Sequence, residues 1–309
     1  GTHAYQVANA LHNTGWQVKV LTPQDYASKD EIINFNNRQP FKIESLATHR
    51  SKPIQTWQRF WGIRNNLRKF KPDLVMATGS RAAWIAGLLA SGWGLPWVLI
   101  GHGSEFGITK SWQRRLMHFS ANRADTIIAV SQYTQRVMEN MGITNPPCTV
   151  IHNGADHRQF HQLSKTVVED FRRNEAVEKL FVLLTVGNVS DRKGQEVVIK
   201  ALPEITAFVP NVIYWMAGLP QNQAKLRSLA RELGVADHIR FWGRVSNETL
   251  LHLYNACDLF IMTSRQCADG DFEGYGIAVI EAALCGKTAV VSKNSGLAEA
   301  VEDGVTGLL

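Results

Sequence analysis

At 309 residues and 45% hydrophobic content, the chain is long enough for two domains of ordinary size and has the composition of a globular protein. No stretch approaches the roughly 20 apolar residues of a membrane-spanning helix, and we expect no signal peptide. The net charge of +6 is accompanied by no dense basic stripe and no known nucleic-acid motif, which argues against a nucleic-acid partner.

Strands and helices alternate along the chain, a pattern that predicts parallel α/β architecture. Residues 24–52 are polar and are predicted to be irregular. In the first half we predict helices at 3–14, 54–69, 81–91, 110–122 and 132–141, and strands at 17–22, 73–78, 97–100, 126–130 and 149–151.

Residues 156–178 are polar and charged and are predicted to be a linker with a short helix. In the second half we predict helices at 194–208, 221–233, 247–255 and 276–286, and strands at 181–186, 212–217, 239–242, 259–262 and 288–291. Two α/β halves joined by a linker imply a cleft between them. Ligands of open α/β sheets bind at the carboxyl ends of the strands.

The charge is unevenly divided between these halves. Residues 1–160 contain 18 Lys and Arg and 9 Asp and Glu, a net +9, whereas residues 161–309 contain 15 and 18, a net −3. A basic first half suits an anionic partner such as a phosphorylated acceptor or an anionic membrane surface. The four cysteines have no Cys-x-x-Cys spacing, which predicts free thiols in a reducing compartment.

Residues 271–286 indicate the chemistry most directly. The turn at Gly274 and Gly276 opens an apolar helix, and a helix N-terminus reached through glycines is a site for a pyrophosphate. Glu273 precedes the turn, and Glu281 lies about two helical turns later on roughly the same side. Carboxylates beside a phosphate can accept hydrogen bonds from sugar hydroxyls. The segment therefore predicts a nucleotide-sugar site.

The Glu273-x7-Glu281 pattern resembles the Glu-x7-Glu signature of retaining glycosyltransferases of family 4, which have the GT-B fold. Further segments resemble the family's motifs in the family's order, at 101–105, 150–156, 185–194, 241–245, 258–264, 290–299 and 303–309. The resemblance covers nearly the whole chain. It implies an α/β GT-B fold with two Rossmann-like domains facing across a cleft.

By this resemblance residues 1–160 form the acceptor-side domain and residues 161–309 the domain that binds the nucleotide sugar. The family's first strand and last helix have no counterpart in the sequence, which begins without Met. We therefore expect the sequence to be part of a longer protein.

The donor site is assigned by the same resemblance. Lys193 is expected to pair with the diphosphate, although a solvated loop lysine would have the same sequence context. The family's second cation position holds Asn188 here, and Arg192 is the candidate to replace it. Glu281 is expected to contact the ribose, with a helix-face charge as its simpler interpretation. The remaining predicted donor contacts are Gly243, Val245, Gly274, Tyr275, Gly276 and Ile277.

The sugar side of the predicted cleft involves both halves. Glu273 and His102 are expected to orient the transferred sugar, the latter because it resembles the family's first-domain histidine. Ser104, Glu105 and Ser131 are candidates to line the acceptor side. Ser131 is equally compatible with an N-cap of helix 132–141. Structural roles are favoured for residues 152–156, and one is open for Glu299.

A basic and aromatic segment at 52–71 has two interpretations. It is typical of an interfacial membrane helix, with Trp57, Phe60 and Trp61 among its apolar residues. It is also compatible with a helix that packs on the sheet and has a basic outer face, which is the favoured reading.

These observations predict an enzyme that transfers a hexose from a UDP- or GDP-sugar to a glycan or lipid-linked acceptor, with retention of configuration. Polysaccharide or lipopolysaccharide biosynthesis in the cytoplasm, peripheral on the inner membrane face, fits this prediction. No metal ion and no cofactor other than the donor is expected.

Three alternatives remain open: a nucleotide-sugar epimerase on the same fold, a non-catalytic nucleotide-sugar-binding module, and a dinucleotide-dependent oxidoreductase. The last is weak because no Gly-x-Gly-x-x-Gly follows a first strand.

Overall fold

The structure, a computed structural model, describes residues 2–24 and 28–309. The helices of the first half are α1 (Thr2–Asn13), α2 (Lys29–Asn37), α3 (Lys52–Phe70), α4 (Ser80–Gly92), α5 (Ser111–Ala121) and α6 (Gln132–Asn140). Its strands are β1 (Lys19–Thr22), β2 (Lys42–Ser45), β3 (Val75–Thr78), β4 (Trp97–Gly101), β5 (Thr126–Ala129) and β6 (Cys148–Val150). They form a four-stranded parallel sheet in the order β3-β4-β5-β6 and a separate parallel pair of β1 with β2.

The second half is built around a six-stranded parallel sheet with the order β12-β11-β10-β7-β8-β9. Its strands are β7 (Phe181–Val186), β8 (Val212–Ala217), β9 (Ile239–Gly243), β10 (Leu259–Met262), β11 (Ala289–Val291) and β12 (Gly307–Leu308). Its helices are α7 (Lys165–Asn174), α8 (Gln195–Phe208), α9 (Gln223–Glu232), α10 (Asn247–Ala256) and α11 (Ile277–Leu284).

The strand order places a crevice at the centre of this sheet. The chain proceeds from β7 outward to β8 and β9, and then returns to the other side of β7 with β10. At such a reversal the loops leaving the two neighbouring strands diverge, and ligands of open α/β sheets bind in the space between them. The loops that follow β7 and β10 contain the sequence motifs at 185–194 and 258–276.

Each half encloses its own core. On β8 the side chains of Trp215 and Tyr214 enter the cores on opposite faces of the sheet, as the alternation of a strand requires. In the first half Trp97 and Leu99 of β4 are wholly buried. The predicted α/β class with two halves is confirmed, and the predicted helices and strands are present with end shifts of one or two residues.

The prediction of an irregular segment at 24–52 was wrong, because α2 and β2 lie within it. Residues 25–27 of that segment lie outside the described part. The side chain of Ser28 accepts from the backbone N–H of Glu31, and the Glu31 carboxylate accepts from the N–H of Ser28. This capping box starts α2 in a polar segment where hydrophobic periodicity is weak.

The predicted linker is not a free connection. Phe171 of α7 stacks on Trp242 and His252 of the second half. Arg172 donates to the carbonyl oxygens of Ala256, Val177 and Leu180 and to the carboxylate of Asp258. Helix α7 is therefore packed on the second half.

The favoured interpretation of α3, a helix that packs on the sheet and has a basic outer face, does not account for three exposed apolar side chains. Trp57 is 64% exposed and Ile54 and Trp61 are exposed as well. The one residue of α3 that is fully buried is Arg59, which donates to the carbonyl oxygen of Ala47. In the part of the chain that the structure describes, no helix is both long and apolar enough to cross a membrane.

Candidate functional site

Lys193 lies in a single turn of 3-10 helix, Asp191–Lys193, directly after the loop that leaves β7. Its side chain is nearly buried, and its Nζ lies 2.7 Å from Oε2 of Glu273, which comes from the loop after β10. The two loops that flank the crevice are therefore joined by an ion pair. The simpler interpretation of Lys193 as a solvated loop residue does not hold.

Arg192 adds a second cation to the same carboxylate. Its guanidinium contacts Oε2 of Glu273, and its Nε lies 3.1 Å from Oδ2 of Asp271. Burial by itself would raise the pKa of Glu273, but Lys193 and Arg192 outweigh it and hold that pKa below its ordinary value. Two cations thus surround one ionised carboxylate at the carboxyl ends of β7 and β10. Asn188, by contrast, is exposed.

Glu281 lies on α11 and faces the interior of the second half. It is 8% exposed, and its Oε2 accepts a hydrogen bond of 2.6 Å from the hydroxyl of Tyr254 on α10. Burial raises the pKa of Glu281, while the Tyr254 hydroxyl and the ammonium of Lys193 oppose that rise. Glu273 and Glu281 therefore both lie near Lys193. The sequence interpretation missed Tyr254, for which no local motif provides a signal.

The glycines of the 274–276 turn allow close contact of backbone segments. A Cβ on Gly274 would lie 1.8 Å from the carbonyl oxygen of His102, across the two halves. Gly276 has a φ of 86°, and a Cβ there would lie 2.2 Å from a methyl carbon of Leu297. The close packing of protein atoms around the turn therefore requires glycine at both positions.

Tyr275, between these glycines, is 6% exposed, and its ring stacks on His152 with 4.9 Å between the ring centroids. Any donor contact from this residue must therefore come from its backbone. Ile277 is the first residue of α11, so its N–H is among those left without a partner within the helix.

His102 faces the cleft from the first half, directly after β4. Burial and a neighbouring imidazole, that of His3 at 4.4 Å between ring centroids, lower the pKa of His102 to about 4. The side chain is therefore neutral at neutral pH and can donate or accept hydrogen bonds without carrying charge. His3, at the start of α1, has a buried Nδ1 without a partner. The sequence interpretation missed it, because a histidine in a first helical turn is an ordinary feature.

The acceptor-side candidates are placed differently from one another. Ser104 is exposed. Glu105 is 3% exposed, and its carboxylate accepts from the backbone N–H of His102. Ser131 is fully buried and is the N-cap of α6, since it accepts from the N–H of Thr134. The prediction that Glu105 and Ser131 line the cleft surface is corrected, because both are occupied in holding backbone.

Hydrogen bonds join the two halves at the N-terminus of α6. The carboxylate of Glu299 accepts from the backbone N–H groups of Gln132 and Tyr133, both at 2.7 Å. A carboxylate at a helix N-terminus also interacts favourably with the helix dipole. Glu299 therefore has a structural role, since it joins the second half to the first.

Gly243 and Val245 lie at the carboxyl end of β9, two strands away from β7 in the sheet. The carbonyl oxygen of Gly243 accepts from the N–H of Gly218. Val245 packs against the core, while Arg244 between them is exposed. The groups that this loop offers to a nucleotide base are therefore in its backbone.

Each half of the chain matches the model of a protein family. The model of the family described as "Glycosyl transferases group 1" matches residues 167–309, and that of "Glycosyltransferase Family 4" matches residues 1–159. A GDP-mannose-dependent α-(1-6)-phosphatidylinositol monomannoside mannosyltransferase of Mycolicibacterium smegmatis is 29% identical over 67% of this chain. The matched region spans 54% of that relative's length.

Two further comparisons cover nearly all of the chain. A glycogen synthase of Mycobacterium tuberculosis is 27% identical over 100% of this chain and 77% of its own length. The crystal structure of Anabaena Alr3699/HepE in complex with UDP and glucose has a TM-score of 0.75 and 23% identity, and covers 94% of this chain and 84% of its own. At this level of identity the structural match concerns the fold.

Proposed function

Since this chain belongs to glycosyltransferase family 4, we propose that it transfers a hexose from a nucleotide diphosphate sugar to a glycan or lipid-linked acceptor. The GT-B fold provides the cleft for this reaction. One observation supports the proposal most: Lys193 and Arg192 converge on Glu273 at the carboxyl ends of β7 and β10. Two cations beside an ionised carboxylate suit a ligand that combines a diphosphate with sugar hydroxyls.

The diphosphate of the donor replaces the carboxylate as partner of the cations. Lys193 supplies a point charge and Arg192 a planar pair of donors. The unpaired N–H groups at the start of α11 supply further donors without any change of structure. Arg192 takes the role for which the family uses the position of Asn188.

In the transfer step the bond between the anomeric carbon and the leaving phosphate oxygen breaks, and the acceptor oxygen bonds to the same carbon. Negative charge develops on the leaving diphosphate, where Lys193 and the N-terminus of α11 stabilise it. By the resemblance, the acceptor approaches on the face that the diphosphate leaves, so configuration is retained. The proton of the acceptor hydroxyl passes to the leaving phosphate oxygen. Neutral His102 and Glu273 hold the sugar hydroxyls, and no metal ion is assigned a role.

The donor base is the part of the proposal with two candidates. The mycobacterial mannosyltransferase is GDP-mannose-dependent by name, whereas HepE was crystallised with UDP. We propose a UDP- or GDP-sugar on this basis. An epimerase would consume the nucleotide sugar without an acceptor, and a binding module would not consume it, so acceptor-dependent turnover separates transfer from both.

Calorimetric titration with UDP, GDP and ADP tests the donor site first. We expect one diphosphate to bind at least about tenfold more tightly than the other two, a difference of about 1.4 kcal/mol. Transfer from the matching sugar nucleotide is then followed by NMR of the anomeric proton of the product. Absence of binding by all three diphosphates contradicts the proposal, and inversion of the anomeric configuration contradicts the retaining mechanism.

A surface of the first half suits the proposed lipid-linked acceptor. We call it the tryptophan face, and it consists of Trp57, Trp61 and Trp93 with Arg64 and Arg68. Helix α3 and helix α4, which Trp93 directly follows, contain no acidic residue. The Arg64 guanidinium lies 4.8 Å from the Trp61 ring and 5.8 Å from the Trp93 ring, and so joins α3 to the end of α4. Exposed indoles beside arginines match the interface of an anionic bilayer.

Vesicle sedimentation tests this peripheral contact. We expect binding to phosphatidylcholine vesicles that contain phosphatidylglycerol and about 30-fold weaker binding to phosphatidylcholine alone, because Arg64 and Arg68 contribute roughly 1 kcal/mol each. Replacing Trp57 and Trp61 by serine is expected to abolish most binding. The matched control is Trp16→Ser, since Trp16 is 56% exposed and lies outside the tryptophan face. Equal binding by the double variant and the control would refute the contact.

A further inference from the structure

Tyr254 forms a buried pair with Glu281 inside the second half. Tyr254 has no exposed surface, and its hydroxyl donates to Oε2 of Glu281 at 2.6 Å. The phenol ring lies against the rings of Phe160 and Phe260, with centroid distances of 5.6 and 5.8 Å. This packing holds the Tyr254 side chain in one rotamer and so fixes the position of its hydroxyl.

The end of α10 that carries Tyr254 is itself anchored. The side chain of the next residue, Asn255, accepts from the N–H of Leu163 and donates to the carbonyl oxygen of His161. These bonds tie the helix to the chain segment that enters the second half. A phenylalanine would pack in the same space without a hydroxyl to satisfy. The buried hydroxyl of Tyr254 therefore indicates a role beyond packing.

We propose that Tyr254 is a positioning residue that fixes the Glu281 carboxylate for the ribose of the donor. The inference rests on the proposed function, because it requires a nucleotide-sugar donor whose ribose contacts Glu281, as the family resemblance implies. A carboxylate has two oxygens that accept hydrogen bonds, and Tyr254 occupies Oε2. Oε1 remains to accept from the 2′- and 3′-hydroxyls. Because the phenol only donates here, it also favours the ionised, accepting form of Glu281.

The surroundings of Glu281 support this assignment. The titratable groups that face it are Tyr254 on α10, Lys193 on the turn after β7 and Cys285 just beyond its own helix. Burial raises the pKa of Tyr254 well above its ordinary value and raises that of Cys285 to about 11, so both keep their protons at neutral pH. Loss of the Tyr254 hydroxyl removes one of the two groups that oppose the effect of burial. The pKa of Glu281 then rises further.

The experiment compares Tyr254→Phe with Tyr214→Phe by calorimetry. The ligands are the nucleoside diphosphate that the wild type binds and its 2′,3′-dideoxy counterpart. Tyr214 is the matched control, because it is equally buried and its hydroxyl donates to Thr185 at 2.8 Å on the other face of the sheet. We expect Tyr254→Phe to weaken the ribonucleotide about tenfold and to leave the dideoxynucleotide almost unchanged. Tyr214→Phe is expected to leave the ratio of the two affinities unchanged.

A pH series provides a readout that a purely structural residue would not move. As pH falls through the pKa of Glu281, the ribose acceptor is lost. Since the variant has the higher pKa, its ribonucleotide affinity is expected to decline at a higher pH than that of the wild type. As a second variant, Glu281→Gln is expected to lose the same ribose preference, which keeps the inference testable if Tyr254→Phe folds poorly.

The outcomes separate the inference from the proposed function. An unchanged affinity ratio in Tyr254→Phe, or retained ribose preference in Glu281→Gln, overturns the role of Tyr254 and leaves the donor site standing. Equal binding of both ligands by the wild type overturns the ribose assignment and with it the role of Tyr254, and leaves the diphosphate site standing. Failure of the wild type to bind any nucleoside diphosphate overturns both.

Discussion

Replacing Glu273 by glutamine is expected to lower the rate of sugar transfer about 10³-fold while nucleoside diphosphate affinity stays the same or increases. The carboxylate contacts Lys193 and Arg192 and therefore competes with the diphosphate for them. Removal of its charge frees both cations. The same change removes the charged acceptor for the sugar hydroxyls, whose interaction is needed in the transition state. The two effects have opposite signs, so rate and diphosphate affinity must be measured separately.

Glu196→Gln is the matched control for this variant. The side chain of Glu196 is 15% exposed, compared with 14% for Glu273, and it pairs with three cations, Lys200 at 2.7 Å, Lys225 at 3.0 Å and Arg265 at 3.6 Å. It lies in the first turn of α8 and pairs with neither Lys193 nor Arg192. We expect near-wild-type transfer for the control. A wild-type rate in Glu273→Gln, or a fall in diphosphate affinity without loss of thermal stability, would contradict the role given to Glu273.

The sequence was sufficient where the determining signals are local. The glycine-flanked loops after β7 and β10 were located because apolar runs and glycines mark strand ends, and Lys193, Glu273 and Glu281 fall in or beside them. The resemblance then assigned the order of these loops in the fold. The structure shows Lys193 near both carboxylates, which no periodicity argument could measure.

The remaining errors concern contacts between residues far apart in the chain. Glu299 binds the N-terminus of α6 across 167 positions, and Tyr254 reaches Glu281 from a different helix. Such partners depend on how the halves pack, for which a single sequence contains no periodic signal. Ser131 is the opposite case, because its N-cap role depends on neighbouring residues and was visible in the sequence. Its full burial is not compatible with the predicted role in lining the cleft.

The outward face of α3 illustrates a different limit. A helix with aromatic residues on one side is usually packed by that side, so the packed interpretation was favoured. In the structure Arg59 occupies the buried position, and its guanidinium satisfies the carbonyl oxygen of Ala47. Hydrophobic periodicity cannot identify the buried face of a helix whose buried contact is a long charged side chain.

Replacing Lys193 by alanine is expected to weaken nucleoside diphosphate binding about 30- to 100-fold, because a hydrogen bond between charged groups contributes about 2 to 3 kcal/mol. Arg192 remains beside Glu273, so the carboxylate keeps a partner and the fold is expected to persist. Calorimetry at two salt concentrations measures the effect, since the loss of one cation also reduces the dependence of affinity on ionic strength.

The pH dependence of the Lys193→Ala variant gives an independent check. Lys193 contributes most among the groups that lower the pKa of Glu273, so its removal raises that pKa. Residual transfer should therefore decline at a higher pH than in the wild type as Glu273 takes up a proton. Lys200→Ala is the control, because Lys200 is 58% exposed and pairs with Glu196. Equal diphosphate affinities for the two variants would show that Lys193 does not bind the donor. The proposal that the diphosphate replaces Glu273 as the partner of Lys193 and Arg192 would then lose its strongest support.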